Sequence, residues 1–346
     1  MVKNNNMDWW LAGDQLWLDQ ITEEIVEPDL PIIDPHHHLW DTPTDRYLLD
    51  EILEDTNGGH NIVSTVFVEC NSMFRADGPE ALKVIGETEF VQGIAAMSAS
   101  GKYGNTRVAN GIVSHADLTL GSDVRPVLEA HIAASNNRFK GIRHAAGWHQ
   151  DSAVRNSHSH PTEHLMLDDQ FQAGLQVLSD MGLTFDAWFY HEQLPEFIAL
   201  ANNFPEATII LDHFGGPLGI GPYQGNLDEV YEKWCELVAP LKNNPNVLFK
   251  LGGINMKVNG FEWHKHPQPP SSDQLVDATA RYYQFCIDNF GADRCMFESN
   301  FPVDRDSCSY HVLWNAFKKM SSGYTDQERQ ALFHDTATKA YKLSTD

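Results

Sequence analysis

The sequence predicts a (β/α)8 barrel (TIM barrel), in which an eight-stranded parallel sheet is ringed by helices, and three observations point to it. Eight short apolar runs bounded by turn residues recur along the chain. Stretches of helical periodicity or composition separate most of them, the mark of parallel βα units. Polar, titratable residues gather where the runs end, and a barrel of this kind carries its active site at the C-terminal ends of its strands.

The expected strands span residues 31–34, 62–69, 108–115, 139–144, 183–190, 207–212, 247–251 and 294–298. The expected helices span 79–98, 122–134, 168–180, 192–202, 228–240, 272–289 and 309–319, with a closing helix over 326–342. Several open on a Ser or Asp cap or a first-turn Pro, and Gly101 and Gly182 follow helix ends, where a left-handed residue terminates the spiral. No internal repeat or low-complexity linker interrupts the pattern. The chain therefore reads as an N-terminal extension over 1–30 and one barrel domain over 31–346, with long loops over 148–165 and 261–271.

The 346 residues are 42% hydrophobic and 21% charged, enough apolar content for a large core. Acidic residues outnumber Lys plus Arg by 48 to 24, and the resulting net charge of -24 disfavours nucleic acid or an anionic membrane as a partner. A small anionic substrate remains compatible, since a few basic groups in a cleft reverse the local potential. The five cysteines are scattered without Cys-x-x-Cys spacing, so neither a disulfide framework nor a zinc ribbon is expected. No leader-like or membrane-spanning run is evident, and a soluble cytoplasmic protein is expected. Self-association into a homo-oligomer is left open.

The richest stretch is Ile32-Ile33-Asp34-Pro35-His36-His37-His38-Leu39-Trp40. Strand side chains alternate faces, so Asp34, His36 and His38 are expected on one face and His37 on the other. Neutral imidazoles at a strand end suit a metal or a polarised water. Later strand ends supply Glu69, His115, Arg143, His144, Tyr190, His191, Asp212, His213, Lys250, Glu298 and Asn300, with Asp304 in the loop beyond. Arg143 is a natural anchor for a substrate carboxylate or a polarised carbonyl because its planar fork meets two oxygens at once, or else it is the ion-pair partner of Glu69 or Glu298. Glu69, His144, Tyr190 and His191 are further candidates to line a substrate site. No dinucleotide fingerprint, P-loop or Gly-x-Ser-x-Gly elbow competes.

Asp34-Pro35-His36-His37-His38-Leu39-Trp40, Gly141-Ile142-Arg143-His144, Leu211-Asp212-His213-Phe214-Gly215 and Met296-Phe297-Glu298-Ser299-Asn300-Phe301-Pro302 together resemble the amidohydrolase superfamily. Within it, the branch of 2-pyrone-4,6-dicarboxylate lactonase and the sugar-acid lactonases is the nearest in pattern. The resemblance covers residues 31 to 343 and implies hydrolysis of an ester or amide of a small, often cyclic, acid. It implies that His36, His38 and His213 bind one divalent metal, zinc foremost, although some relatives on this branch work without metal. It also implies that Arg143 contacts substrate. The family's usual strand 8 aspartate is replaced here by Asn300, which can neither accept a proton at neutral pH nor give a metal anionic charge. The candidate bases are then Asp304, Glu298 and His213. A metal-dependent decarboxylase and a non-catalytic small-acid binding barrel are the alternatives.

Overall fold

The computed structural model describes residues 14–344. All eight expected strands form: β1 (Pro31–His37), β2 (Asn61–Val68), β3 (Arg107–Ser114), β4 (Phe139–Arg143), β5 (Thr184–Ala187), β6 (Ile209–Leu211), β7 (Val247–Leu251) and β8 (Cys295–Phe297). They pair in parallel and in chain order from β1 to β8. The ring closes just beyond the strands, through a bridge between His37 and Phe301, with Asn300 N–H donating to the His36 carbonyl at 2.9 Å and His38 N–H to the Phe301 carbonyl at 2.8 Å. The closure thus ties the backbone carrying His36 and His38 to that carrying Asn300.

Eight helices follow the strands: α1 (Leu49–Thr56), α2 (Ile85–Ala99), α3 (Arg125–Ala134), α4 (Asp169–Asp180), α5 (Leu194–Asn203), α6 (Leu227–Val238), α7 (Ser272–Phe290) and α8 (Tyr310–Met320). Helix α1 is not among the expected elements. It buries Leu49, Ile52 and Thr56, yet its eight residues are too few to show a sustained period. The expected closing helix is broken into α9 (Asp326–Gln330), a π-turn over Ala331–Asp335, and α10 (Thr336–Ala340).

One large core fills the space between sheet and helices. A second lies inside the barrel, where Ile33, Val66, Val113, Ile210 and Met296 meet Ala337, Ala340, Tyr341 and Leu343 from the C-terminal segment. That segment plugs the end of the barrel opposite the strand ends.

The expected alternation along β1 fails at Pro35. Asp34 pairs with Thr65 but His37 with Phe67, so β1 spends three residues where β2 spends two. This bulge reverses the facing of the residues beyond it. Ile33 belongs to the inner core, and Asp34 turns outward to accept hydrogen bonds from Ser299 Oγ at 2.6 Å and Tyr310 OH at 3.0 Å. His36 and His38 then face the interior, and His37 turns out to meet Thr65 Oγ1 at 2.9 Å.

Residues 14–30 of the expected extension lie along α7 and α8. Glu23 accepts from Ser272 at the start of α7, and the Lys318 ammonium donates to the carbonyls of Val26 and Glu27 at 2.8 Å each. The first thirteen residues of that extension lie outside the described residues. All five thiols are free. Among the described residues, no helix is long and apolar enough to cross a membrane.

Candidate active site

Glu298, just past β8, is fully buried and clamps two imidazoles. Its Oε2 lies 2.7 Å from His36 Nδ1 and its Oε1 2.5 Å from His213 Nδ1. The rings of His36 and His213 approach to 4.5 Å between centroids. Burial, reinforced by Lys250 and the neighbouring histidines, holds the His36 pKa well below its usual value, so this imidazole is neutral. His213 occupies left-handed backbone at φ 51°, a conformation that non-glycine residues adopt sparingly and that clusters at functional sites. Gly253 allows the approach from the other side, because a Cβ there would lie 2.2 Å from His213 Nδ1.

Two fixed cations flank His36. Arg143 Nη1 lies 3.3 Å from its Nε2, and Lys250 Nζ lies 3.1 Å from its Nδ1. Arg143 Nε donates to Glu69 Oε1 at 2.7 Å and its Nη2 to the Glu69 carbonyl at 2.5 Å, so the Glu69 pairing is the one that forms. Glu69 Oε2 also meets His158 Nε2 at 2.9 Å, which pins the 148–165 loop to the barrel. Burial raises the Glu69 pKa, yet His158 and Arg143 outweigh it and keep this carboxylate ionised. Inside the barrel Lys250 donates to Asp186 Oδ2 at 2.7 Å, and Asp186 also accepts from Tyr341 OH at 2.6 Å. Burial disfavours the Lys250 charge, but Asp186 and Asp212 overcome it and raise its pKa. Asp212 lies 3.3 Å from Lys250 and 3.6 Å from Arg143, and neither of its oxygens makes a hydrogen bond.

The remaining expected residues divide by position. His38 keeps its Nδ1 on the Val68 carbonyl at 2.8 Å and its Nε2 3.3 Å from Asn300 Oδ1. Asn300, also left-handed at φ 57°, donates in turn to Asp304 Oδ1 at 2.9 Å. Asp304 sits behind Asn300, and burial raises its pKa to about 7. Tyr190 lines the pocket and donates its hydroxyl to the Arg155 carbonyl. His144 lies under the loop after β3, accepting from Leu118 N–H at 3.2 Å, and His191 accepts from Leu218 N–H at 3.4 Å. Neither of these two histidines borders the pocket at the strand ends.

That pocket is walled by His38, Arg143, Trp188, Tyr190, His213 and Asn300, and by Arg155, Asn156 and His158 from the 148–165 loop. A second cavity continues past His38, Arg143, Arg155 and His158 toward Trp40 and Asn71. Sequence reasoning placed a long loop here but singled out neither Arg155 nor His158, because loop residues have no periodicity to fix their facing. It also missed Asp186, whose position in β5 carries no hint that its side chain meets Lys250 across the barrel.

The Amidohydrolase family model matches residues 33–343. The chain belongs to the amidohydrolase family. An uncharacterized protein of Sinorhizobium fredii, y4mH, is 32% identical over 329 residues, 91% of this chain and 99% of that one. An L-fucono-1,5-lactonase of Burkholderia ambifaria is 24% identical over 282 residues, 79% of this chain and 81% of that one. The crystal structure of an amidohydrolase from Burkholderia multivorans with bound zinc shares the fold, with a TM-score of 0.68, 21% identity, and coverage of 90% of this chain and 99% of that one.

In this amidohydrolase, His36, His213 and Glu298 present donor atoms within 4.8 Å of one another, and these three residues would hold a divalent cation. Two imidazoles and a carboxylate suit zinc, and Glu298 Oε2, buried without a hydrogen bond, is an acceptor open to a cation. His38, expected as the third ligand, lies outside this cluster, and Glu298 takes its place.

Proposed function

We propose that this amidohydrolase hydrolyses the ring ester of a small carboxylated lactone. The observation that carries this reading is the His213–Glu298 pair. With Nδ1–H donated to Glu298, the His213 ring keeps Nε2 as its acceptor, and His213 lines the pocket. It is the general base that takes a proton from the attacking water, and Glu298 orients it and stabilises the imidazolium formed. Glu298 and Asp304 are both fully buried behind the pocket wall, so neither meets water directly. Arg143 borders the pocket with its charge held in place by Glu69, and it faces the negative charge that develops on the carbonyl oxygen. In a metal-loaded site His36, His213 and Glu298 would hold the ion, which would supply Lewis-acid polarisation of that carbonyl, and the base role of His213 belongs to the site without it.

The anionic anchor moves from Arg143 to Arg155. Arg143 is already paired with Glu69, whereas the Arg155 guanidinium borders both cavities and makes no hydrogen bond or ion pair among the described residues. Its free fork matches a carboxylate. The curated L-fucono-1,5-lactonases among the relatives support a lactone as the electrophile.

A panel of five- and six-membered lactones, with and without a ring carboxylate, tests the proposal through acid release and incorporation of 18O from labelled water. One labelled oxygen per acid formed is expected, with kcat about 10²–10⁴-fold lower in His213→Asn. Carbon dioxide released without ring opening would overturn it in favour of a decarboxylase. Thermal stabilisation by small acids with no turnover would overturn it in favour of a binding protein.

A further inference from the structure

We propose that Lys250 is a resident cation that keeps divalent-metal binding at the His36, His213 and Glu298 cluster weak. Its Nζ stands 3.1 Å from His36 Nδ1, the same nitrogen that lies 2.7 Å from Glu298 Oε2. An ion bound by His36 and Glu298 together meets that ammonium at close range. The opposite nitrogen of His36 offers no escape, because Arg143 Nη1 lies 3.3 Å from it. Either donor of this imidazole is therefore faced by a fixed positive charge.

Lys250 cannot swing aside to relieve the conflict. It is fully buried within the barrel and held by Asp186 at 2.7 Å, and Tyr341 from the C-terminal segment fixes that carboxylate at 2.6 Å. Repulsion between a monovalent and a divalent charge a few ångströms apart is strong in a medium that screens poorly. Glu298 and Asp212 offset part of it, so the ion is admitted but not gripped. The inference concerns metal affinity and is independent of which substrate is hydrolysed.

The test uses full-length protein stripped with a chelator and titrated with Zn²⁺ against a chromophoric competitor. Wild type is expected to bind zinc with a dissociation constant on the order of micromolar or weaker and to lose it on dialysis against the chelator. Lys250→Met should tighten binding by about tenfold or more, and Lys250→Arg, which keeps the charge, should leave it near the wild-type value. His36→Gln should abolish binding in the wild-type and Lys250→Met backgrounds alike. Since Lys250→Met strands Asp186, the pair Lys250→Met/Asp186→Asn serves where the single variant does not fold, with the same tightening expected. The proposal is overturned by a wild-type protein that retains one equivalent of zinc through dialysis, by unchanged or weaker affinity in the folded Lys250 variants, or by undiminished binding in His36→Gln.

Discussion

Arg155 shows how much one loop residue decides. Among the pocket's cations, Arg143 is paired with Glu69 and Lys257 with Asp306 at 2.6 Å, whereas Arg155 is uncommitted among the described residues. A charge-assisted hydrogen bond to a carboxylate is worth about 1.5–3 kcal/mol. Arg155→Ala should accordingly raise KM for a carboxylated lactone by about 10- to 100-fold and leave KM for its uncharged counterpart within about twofold, as steady-state kinetics on the two substrates would show. Glu87 on α2 makes a different point, about stability. It is fully buried, accepts from the Cys70 and Ser72 N–H groups, and has its pKa raised from 4.5 to about 8 by burial and then by Glu69. A carboxyl whose folded pKa exceeds the unfolded value stabilises fully below the unfolded pKa and loses that contribution as pH rises toward the folded one. Glu87→Gln, neutral at every pH, should match wild type in Tm near pH 5 and exceed it by roughly 5 °C near pH 9 in thermal scans.

At the scale of elements, the site is made by departures from regular structure. The strand 1 motif was legible because Ile32-Ile33 announces a strand and three histidines follow it. Its facing was not, because the bulge at Pro35 exists only in the pairing of β1 with β2, which no single strand encodes. The same holds for the segment after β7, where Gly252 and Gly253 leave room for Glu298 and His213. Gly253→Ala adds a methyl carbon 2.2 Å from His213 Nδ1 at a backbone φ of 66°. It should break the His213–Glu298 contact and lower kcat by about 10²-fold or more, with far-ultraviolet circular dichroism unchanged. Helix α1 escaped notice for a plainer reason: the stretch between β1 and β2 offers only two helical turns, with no period long enough to stand out.

Across the whole molecule, the two ends of the barrel are coupled through its interior. Tyr341, from the segment that seals the far end, reaches Asp186, which holds Lys250 against His36 at the catalytic end. Removing the tyrosine hydroxyl takes away one of the two donors to the buried Asp186 Oδ2, and a hydrogen bond to a charged group is worth about 1.5–3 kcal/mol. Tyr341→Phe should therefore lower Tm by about 3–8 °C in differential scanning calorimetry. The chain carries a net charge of -24, and in the pocket, where Arg143 and Lys257 are paired with Glu69 and Asp306, the Arg155 guanidinium supplies a local positive charge. That local charge is what lets a strongly acidic protein receive an anion.

The sequence by itself determined the barrel, its strand order and the identity of the residues at the strand ends, because burial imposes hydrophobic periodicity and a barrel places strand ends on one face. It also carried the family resemblance, in motifs whose order along the chain matches the order of the strands. Only the tertiary structure decided which polar groups touch. Glu298 meets His36 and His213 from three different strand ends, Asp186 meets Lys250 across the barrel, and Arg155 enters the pocket from a loop. Those contacts depend on the bulge in β1, on the closure at Phe301 and on the packing of a loop and a C-terminal segment. Each is a distance between residues far apart in the chain, and local pattern constrains only neighbours.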